Sequence, residues 1–256
     1  MSTHTPPVLA VAAACVLLTG LGAAAKPAAK PPAGHAWIDG VWESPWRPDQ
    51  LRKPGEADAP VEVGPPPLKA AYLADWSKAQ KASRDATARG APIAGGVVAC
   101  IPPGFPAMMS PRFPMEFISN GRQVNITNEA YAQTRRVYLG AKQTAVEDTE
   151  PGFFGHSVGH WEGSTLVIDT LGIKDYVRQN GVPHSPEMRV IERLHPTGPD
   201  TFEDDITVTD PQYLERPWTF TFHYLRKPDY PLGEYVCENN HEFADPVTGA
   251  QKLRLD

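Results

Sequence analysis

Residues 155–170 read GHSVGHWEGSTLVIDT. Two short runs rich in strand-forming residues flank a central glycine and read as strand, tight turn and strand. With Glu162-Gly163 as the turn, Trp161 faces Ser164, and counting outward pairs His160 with Thr165, Val158 with Val167 and His156 with Asp169. These three pairs share one face, while Trp161, Leu166 and Ile168 share the other. A carboxylate opposite an imidazole can hold its tautomer and raise its basicity, so the hairpin predicts an acid–base pair, His156 with Asp169. The same two residues would serve equally as a cross-strand polar pair that fixes register, and a bulge would undo the pairing.

Strand and turn signals continue on either side. MEFIS, QVNITNE, TRRVYLG, GHSVGHW, STLVIDT, EMRVIERLH, TFEDDITVT, WTFTFHYL and GEYVCEN are nine candidate strands from Met115 onward, most joined at short distance by Gly, Asn, Asp or Pro. No long helical pattern intervenes between most of them, which excludes βαβ units and favours an antiparallel meander. Closure removes exposed edges, so the expected fold is a mainly β, antiparallel, lipocalin-like barrel of about eight or nine strands. One helix is expected over residues 67–90, where Leu68, Tyr72 and Trp76 recur every four residues and Gly90 and Pro92 end the pattern. Trp37, Trp42 and Trp46 are too concentrated for a linker and are expected to dock on the domain as an extended N-terminal wrap. Gly40-Val41-Trp42 is similar to the Gly-x-Trp signature of the first strand in lipocalin-like barrels.

Two carboxylates fall on apolar strand faces. Glu192 shares its face with Met188, Val190 and Leu194, and Asp204 with Phe202, Ile206 and Val208. An unpaired buried carboxylate is costly, so each should find a cation, a hydrogen-bond network or a proton-transfer role with a raised pKa. Arg136, Arg189 or Arg193 could supply the cation. His184, in the loop VPHSP, could reach the same barrel mouth. His156 and His160 lie about 13 Å apart along a strand, too far for one ion. A zinc site from His156, His184 and Glu192 remains open, but no metal or organic cofactor is expected. Phosphate-loop, Gly-x-Ser-x-Gly and dinucleotide fingerprints are absent from the sequence.

The start of the chain reads as an export signal. VLAVAAACVLLTGLG, residues 8–22, is too short for a comfortable membrane span and is followed by Ala23-Ala24-Ala25. Cleavage after Ala25 is expected, although the segment before the apolar run carries no Lys or Arg. An uncleaved anchor and acylation of Cys15 are the competing readings. Residues 26–36 form a Pro/Ala leader, and residues 37–256 are expected to make a single barrel domain. A processed chain would keep two cysteines, Cys100 and Cys237, which in an exported protein suggest a disulfide between the start of the ordered region and its last strand. Two buried thiols are the alternative. A net charge of −6 gives no basic footprint for nucleic acid, and 28 prolines with 21 glycines fit turns and wrapping segments better than a helical bundle.

The hairpin motif, with CIPPGFPAMM and RRVYLG before it and PHSPEMRVIERL, PWTFTFHYL and EYVCENN after it, resembles a family of exported bacterial proteins of unassigned function. The usual form there is GHSxGxWEGDTLVVDTxGF; here Ser164 replaces the Asp after the turn and Ile173 the final Phe. The resemblance spans roughly residues 37–240. It implies export and a shared fold, and it carries no activity.

A small barrel can enclose one organic molecule. The leading expectation is a periplasmic or secreted enzyme doing acid–base chemistry on a small organic substrate. In it His156 is the base, Asp169 its orienting acid, Glu192 and His184 partners in proton transfer, and Trp161, Arg136, Glu238 and Asn239 contact the substrate. The rival expectation is a noncatalytic carrier or sensor of a hydrophobic ligand, with His156 and Asp169 outside the barrel. A third is a surface or assembly protein that uses the tryptophan-rich leader as an interaction segment.

Overall fold

The structure is a computed structural model that describes residues 34–43, 63–89, 100–110, 113–235, 242–244 and 251–253. The expected signal segment, Cys15, Trp46, Cys237, Glu238 and Asn239 lie outside the described residues.

Nine strands close into a barrel in chain order. They are β1 (Gly40–Glu43), β2 (Met115–Ser119), β3 (Gln123–Asn128), β4 (Gln133–Leu139), β5 (His156–Glu162), β6 (Thr165–Leu171), β7 (Arg189–Gly198), β8 (Thr201–Thr209) and β9 (Trp218–Arg226). A separate two-stranded sheet pairs β10 (Glu242–Ala244) with β11 (Gln251–Leu253). The protein is thus mainly β, with a single α-helix, α1 (Ala70–Ala88), among the described residues. Eight of the nine expected strands are β2 to β9. The ninth barrel strand comes from the tryptophan segment, as β1, and the described part of GEYVCEN, residues 233–235, is not strand.

The meander is antiparallel except at one seam. Around a closed ring, strands can alternate in direction everywhere only if their number is even, so nine strands force one like-directed contact. That contact is β4 with β5, whose register runs Val137 with Ser157 to Leu139 with Gly159. A parallel pair needs a long return, and residues 140–155 supply it, crossing the outside of the barrel. The closing seam between β1 and β9 is short, Trp42 with Arg226 and Glu43 with Leu225. Arg226 reinforces it: its guanidinium lies 4.1 Å from the Trp42 ring centroid and donates to the carbonyls of Asp39 and Trp37 at 2.7 and 2.6 Å.

Alternation sorts side chains between core and surface. On β8, Phe202, Asp204, Ile206 and Val208 are buried, and on β7 so are Val190, Glu192 and Leu194, as the sequence pattern predicts. Trp37, Trp42 and Phe202 pack together near one end of the barrel, the Trp42 and Phe202 rings edge to face at 4.7 Å. At the other end the segment 104–109 dips inward and buries Phe105, Met108 and Met109 completely or nearly so. Each such side chain contributes about 1.5–3 kcal/mol by leaving water. Gly104 makes this plug possible, because at φ +68 a Cβ would sit 2.5 Å from the Phe153 carbonyl oxygen and 2.6 Å from a Val177 methyl.

Helix α1 is shorter than the sequence suggests and mostly exposed. Tyr72 leans on Tyr213 at 4.5 Å between rings, and Trp76 Nε1 and Gln80 Nε2 both donate to the Asn180 carbonyl, at 3.1 and 2.7 Å. The apolar stripe is thus a narrow docking line on a loop at the plugged end.

Candidate functional site

The residues expected to form one active site occupy three environments. The hairpin turn is Gly163-Ser164, with Gly163 at φ +62, so glycine takes the first turn position rather than the second. Every partner therefore slides by two residues: His156 faces Leu171, and Asp169 faces Val158. Faces are preserved by a two-residue slide, but the His156–Asp169 pairing expected from the sequence is not formed. Asp169 instead accepts two hydrogen bonds from Arg189, at 2.7 and 2.5 Å, on the outside of the barrel. His156 Nδ1 meets Gln143 Oε1 at 2.8 Å, and its ring stacks on Tyr138. Gln143 comes from the parallel crossover, and its amide also donates to the carbonyls of His156 and Asp169, at 3.2 and 2.8 Å.

His184 is the second environment. It is buried, with Nε2 2.9 Å from the Val177 carbonyl oxygen and Nδ1 3.2 Å from that of Ser185. It lines a void of about 20 Å³ with Met188, Val208 and Trp218, too small for an organic substrate. His156, His184 and Glu192 do not converge, which also removes the zinc site considered for them. Trp161 stacks on His35 at 4.0 Å, against the N-terminal wrap, and Arg136 is exposed on the outer face of β4.

The third environment is the barrel interior, where Glu192 meets a residue the sequence reading passed over. Arg135, not Arg136, Arg189 or Arg193, supplies its cation, with Nη1 to Oε1 at 2.8 Å and Nη2 to Oε2 at 2.5 Å. Both side chains are fully buried. The remaining guanidinium donors reach Ser157 Oγ at 3.0 Å and Thr170 Oγ1 at 2.8 Å, and Phe105 lies flat over the guanidinium at 3.7 Å. The signal for Arg135 was available: it stands two residues from Val137 on β4, on the apolar side of TRRVYLG.

Asp204 is the other inward acid, and both its carboxyl oxygens are buried without a hydrogen-bond partner. Burial, then the neighbouring Glu192 charge, pushes its carboxyl well above the usual carboxylate range, against the opposing pull of Arg135. It is the unpaired acid beside the Arg135–Glu192 pair. Tyr224 completes the interior, donating to the Met109 carbonyl at 2.6 Å, and burial, followed by the neighbouring Asp204 carboxyl, raises its phenol well above normal. Phe105 and its neighbours cover this network from the plugged end, so its acids do not open onto a substrate site.

Above the plug lies a cavity of about 450 Å³. Its walls are mainly apolar and aromatic, including Ile101, Met108, Phe113, Tyr176, Val177 and Tyr235. Asn128 and Gln133 also line it, but their amides are used to brace the plug: Asn128 binds the Met108 carbonyl and the Ala130 amide, and Gln133 binds the Gly104 amide and the Ala130 carbonyl. Gln179 lies between this cavity and the small void beside His184, and its buried Oε1 has no hydrogen-bond partner. Arg178 is the charged residue among the described lining residues.

Backbone strain gathers at this cavity. The non-glycine residues with positive φ among the described residues are Cys100, Tyr131, Ala132 and Asn180. Tyr131 and Asn180 line the cavity, and Cys100 and Ala132 each adjoin a lining residue, Ile101 and Gln133. Such conformations cost on the order of 1–3 kcal/mol each and cluster at ligand clamps and active sites. Asn180-Gly181 is a turn dipeptide that the sequence displays, whereas Cys100, Tyr131 and Ala132 carry no such motif, so the sequence alone did not point to them.

No protein-family model matches the chain, and neither the curated proteins nor the solved structures yield a significant match.

Proposed function

We propose that the protein is an exported binding protein whose mouth cavity takes a small organic molecule with an apolar or aromatic body and an anionic end. The observation that carries this reading is the coincidence of the 450 Å³ cavity with the left-handed residues around it. The volume suits a ligand of modest size, the aromatic walls suit a flat or aliphatic body, and Arg178 at the rim suits a carboxylate, sulfonate or phosphate. Binding is preferred to catalysis because no acid and base meet at the cavity among the described residues: His156 and Asp169 face outward, and Glu192 and Asp204 lie beneath Phe105. The apolar leader and the small residues at 23–25 support export.

The probe for this reading is 1-anilinonaphthalene-8-sulfonate, which has an aromatic body and an anionic end. Its fluorescence should rise on addition of folded protein. Ala130→Trp, which fills the cavity from one wall, should abolish the rise, and Arg178→Gln should weaken binding about tenfold or less, as befits an exposed charge. Both variants must keep the thermal transition of the parent. Enhancement that survives Ala130→Trp at full strength would place the dye elsewhere and refute the site.

A further inference from the structure

On the opposite half of the barrel wall, three adjacent strands put two histidines and two carboxylates side by side. The registers run His195 of β7 to Glu203 of β8 and Glu203 to His223 of β9, so these three stand in one row across the sheet. Asp205 follows Glu203 by two residues and shares its outward face. The metal-capable atoms of His195, Glu203 and Asp205 all lie within 4.8 Å of one another. Pair by pair, His195 Nε2 is 3.0 Å from Asp205 Oδ2 and 3.9 Å from Glu203 Oε2, and His223 Nδ1 is 3.1 Å from Glu203 Oε1.

We infer that this face binds a divalent transition-metal ion, zinc by the chemistry of its donors, with His195, Glu203 and Asp205 as ligands and His223 beside them, holding the second oxygen of Glu203. Tetrahedral zinc with nitrogen and oxygen ligands at about 2.0–2.1 Å places neighbouring donor atoms about 3.3–3.4 Å apart. The separations of His195 from Asp205 and Glu203, 3.0 and 3.9 Å, fall on both sides of that value, so small rotations of these three side chains on a fixed sheet bring the donors to it. An imidazole-plus-carboxylate set suits zinc better than calcium or magnesium, which take oxygen ligands.

Two neighbouring contacts favour a cation over a plain ion-pair cluster. Thr221 Oγ1 donates to Asp205 Oδ1 at 2.6 Å, which leaves Oδ2 directed at His195 and fixes the carboxylate as an outer-shell partner does for a metal ligand. Arg193, which stands opposite Asp205 in the register, turns the other way and binds Glu162 at 2.8 Å. The strong cation nearest by register is thus committed elsewhere, and two carboxylates face two imidazoles. The four side chains are partly exposed, from 31% to 59%, so an ion can enter from solvent without any movement of the barrel.

The test is calorimetric titration of zinc chloride into chelator-treated full chain at neutral pH. One equivalent should bind at micromolar affinity or tighter, with zinc-dependent NMR shifts on the rings of His195 and His223. His195→Ala and Glu203→Gln should each weaken binding more than about tenfold, and Thr221→Val should weaken it by about tenfold. Glu203→Gln keeps the shape of the side chain, so it remains informative if His195→Ala folds poorly. His160→Ala, on β5, should change nothing. Absence of zinc uptake overturns the site, as does uptake that Glu203→Gln leaves intact or shifts confined to other histidines.

Discussion

Arg135 and Glu192 meet in a two-point pair with neither side chain exposed to solvent. Removing one partner would leave the other charge buried and uncompensated, the costly way to break such a pair. Glu192→Gln is therefore expected to destabilise the fold by about 3–5 kcal/mol in urea denaturation, whereas Arg135→Met combined with Glu192→Leu should recover most of that loss. If the double variant is no more stable than Glu192→Gln, the pair is not an isolated unit and Ser157, Thr170 and Phe105 carry the difference.

Asp204 should make stability fall as pH rises. Its folded-state carboxyl is raised by burial and by Glu192, so above an unfolded-state pKa of about 3.9 the folded chain keeps a proton that the unfolded chain has released. The slope is at most about 1.4 kcal/mol per pH unit for one proton, from about pH 4 up to the raised folded value. Asp204→Asn removes that proton from the balance. Unfolding free energies measured from pH 4 upward should lose this downward component in the variant, and an unchanged profile would mean that Asp204 is charged in the fold.

The corrected hairpin register makes an unequal pair of predictions. Gln143→Leu deletes contacts to two strand carbonyls and to His156, and should cost about 1–3 kcal/mol. Asp169→Asn weakens an ion pair whose arginine is 54% exposed, and should cost less than about 1 kcal/mol. The reverse order in thermal or urea melts would contradict the geometry of the crossover.

Export and a Cys100–Cys237 bond are expected together. Mass spectrometry of the processed protein should find its first residue at or within a few positions of Lys26, and non-reduced, denatured protein should offer no alkylatable thiol. On the chain-entropy model the bond contributes up to about 4–5 kcal/mol. Two labelled cysteines would exclude it.

The fold was more legible than the site, for a physical reason. Alternation with period two is written into each strand: Val190, Glu192 and Leu194 or Phe202, Asp204 and Ile206 can be assigned to the interior without knowing what they touch. Register is written into the turn, and residues 162–164 offer two turns of equal length, Glu162-Gly163 and Gly163-Ser164. Both give the same faces, so the hydrophobic pattern does not choose between them, and the choice moved Asp169 from His156 to Val158. Arg135 and Glu192 are 57 positions apart and meet only through barrel closure. The cavity depends on left-handed residues such as Tyr131 and Ala132, whose conformation is imposed by surrounding packing rather than by their own preference.

The odd number of strands also limits how this barrel could have been assembled or could be rebuilt. Whole hairpins can be added or removed anywhere in the ring without disturbing the alternation, because each contributes one strand in each direction. A single strand cannot: an eight- or ten-stranded descendant must either erase the like-directed contact at β4 and β5 or create another. The segment 140–155 is therefore where the topology keeps its parity, and shortening it to a tight turn would demand that β5 reverse direction, carrying His156 to the far end of the barrel.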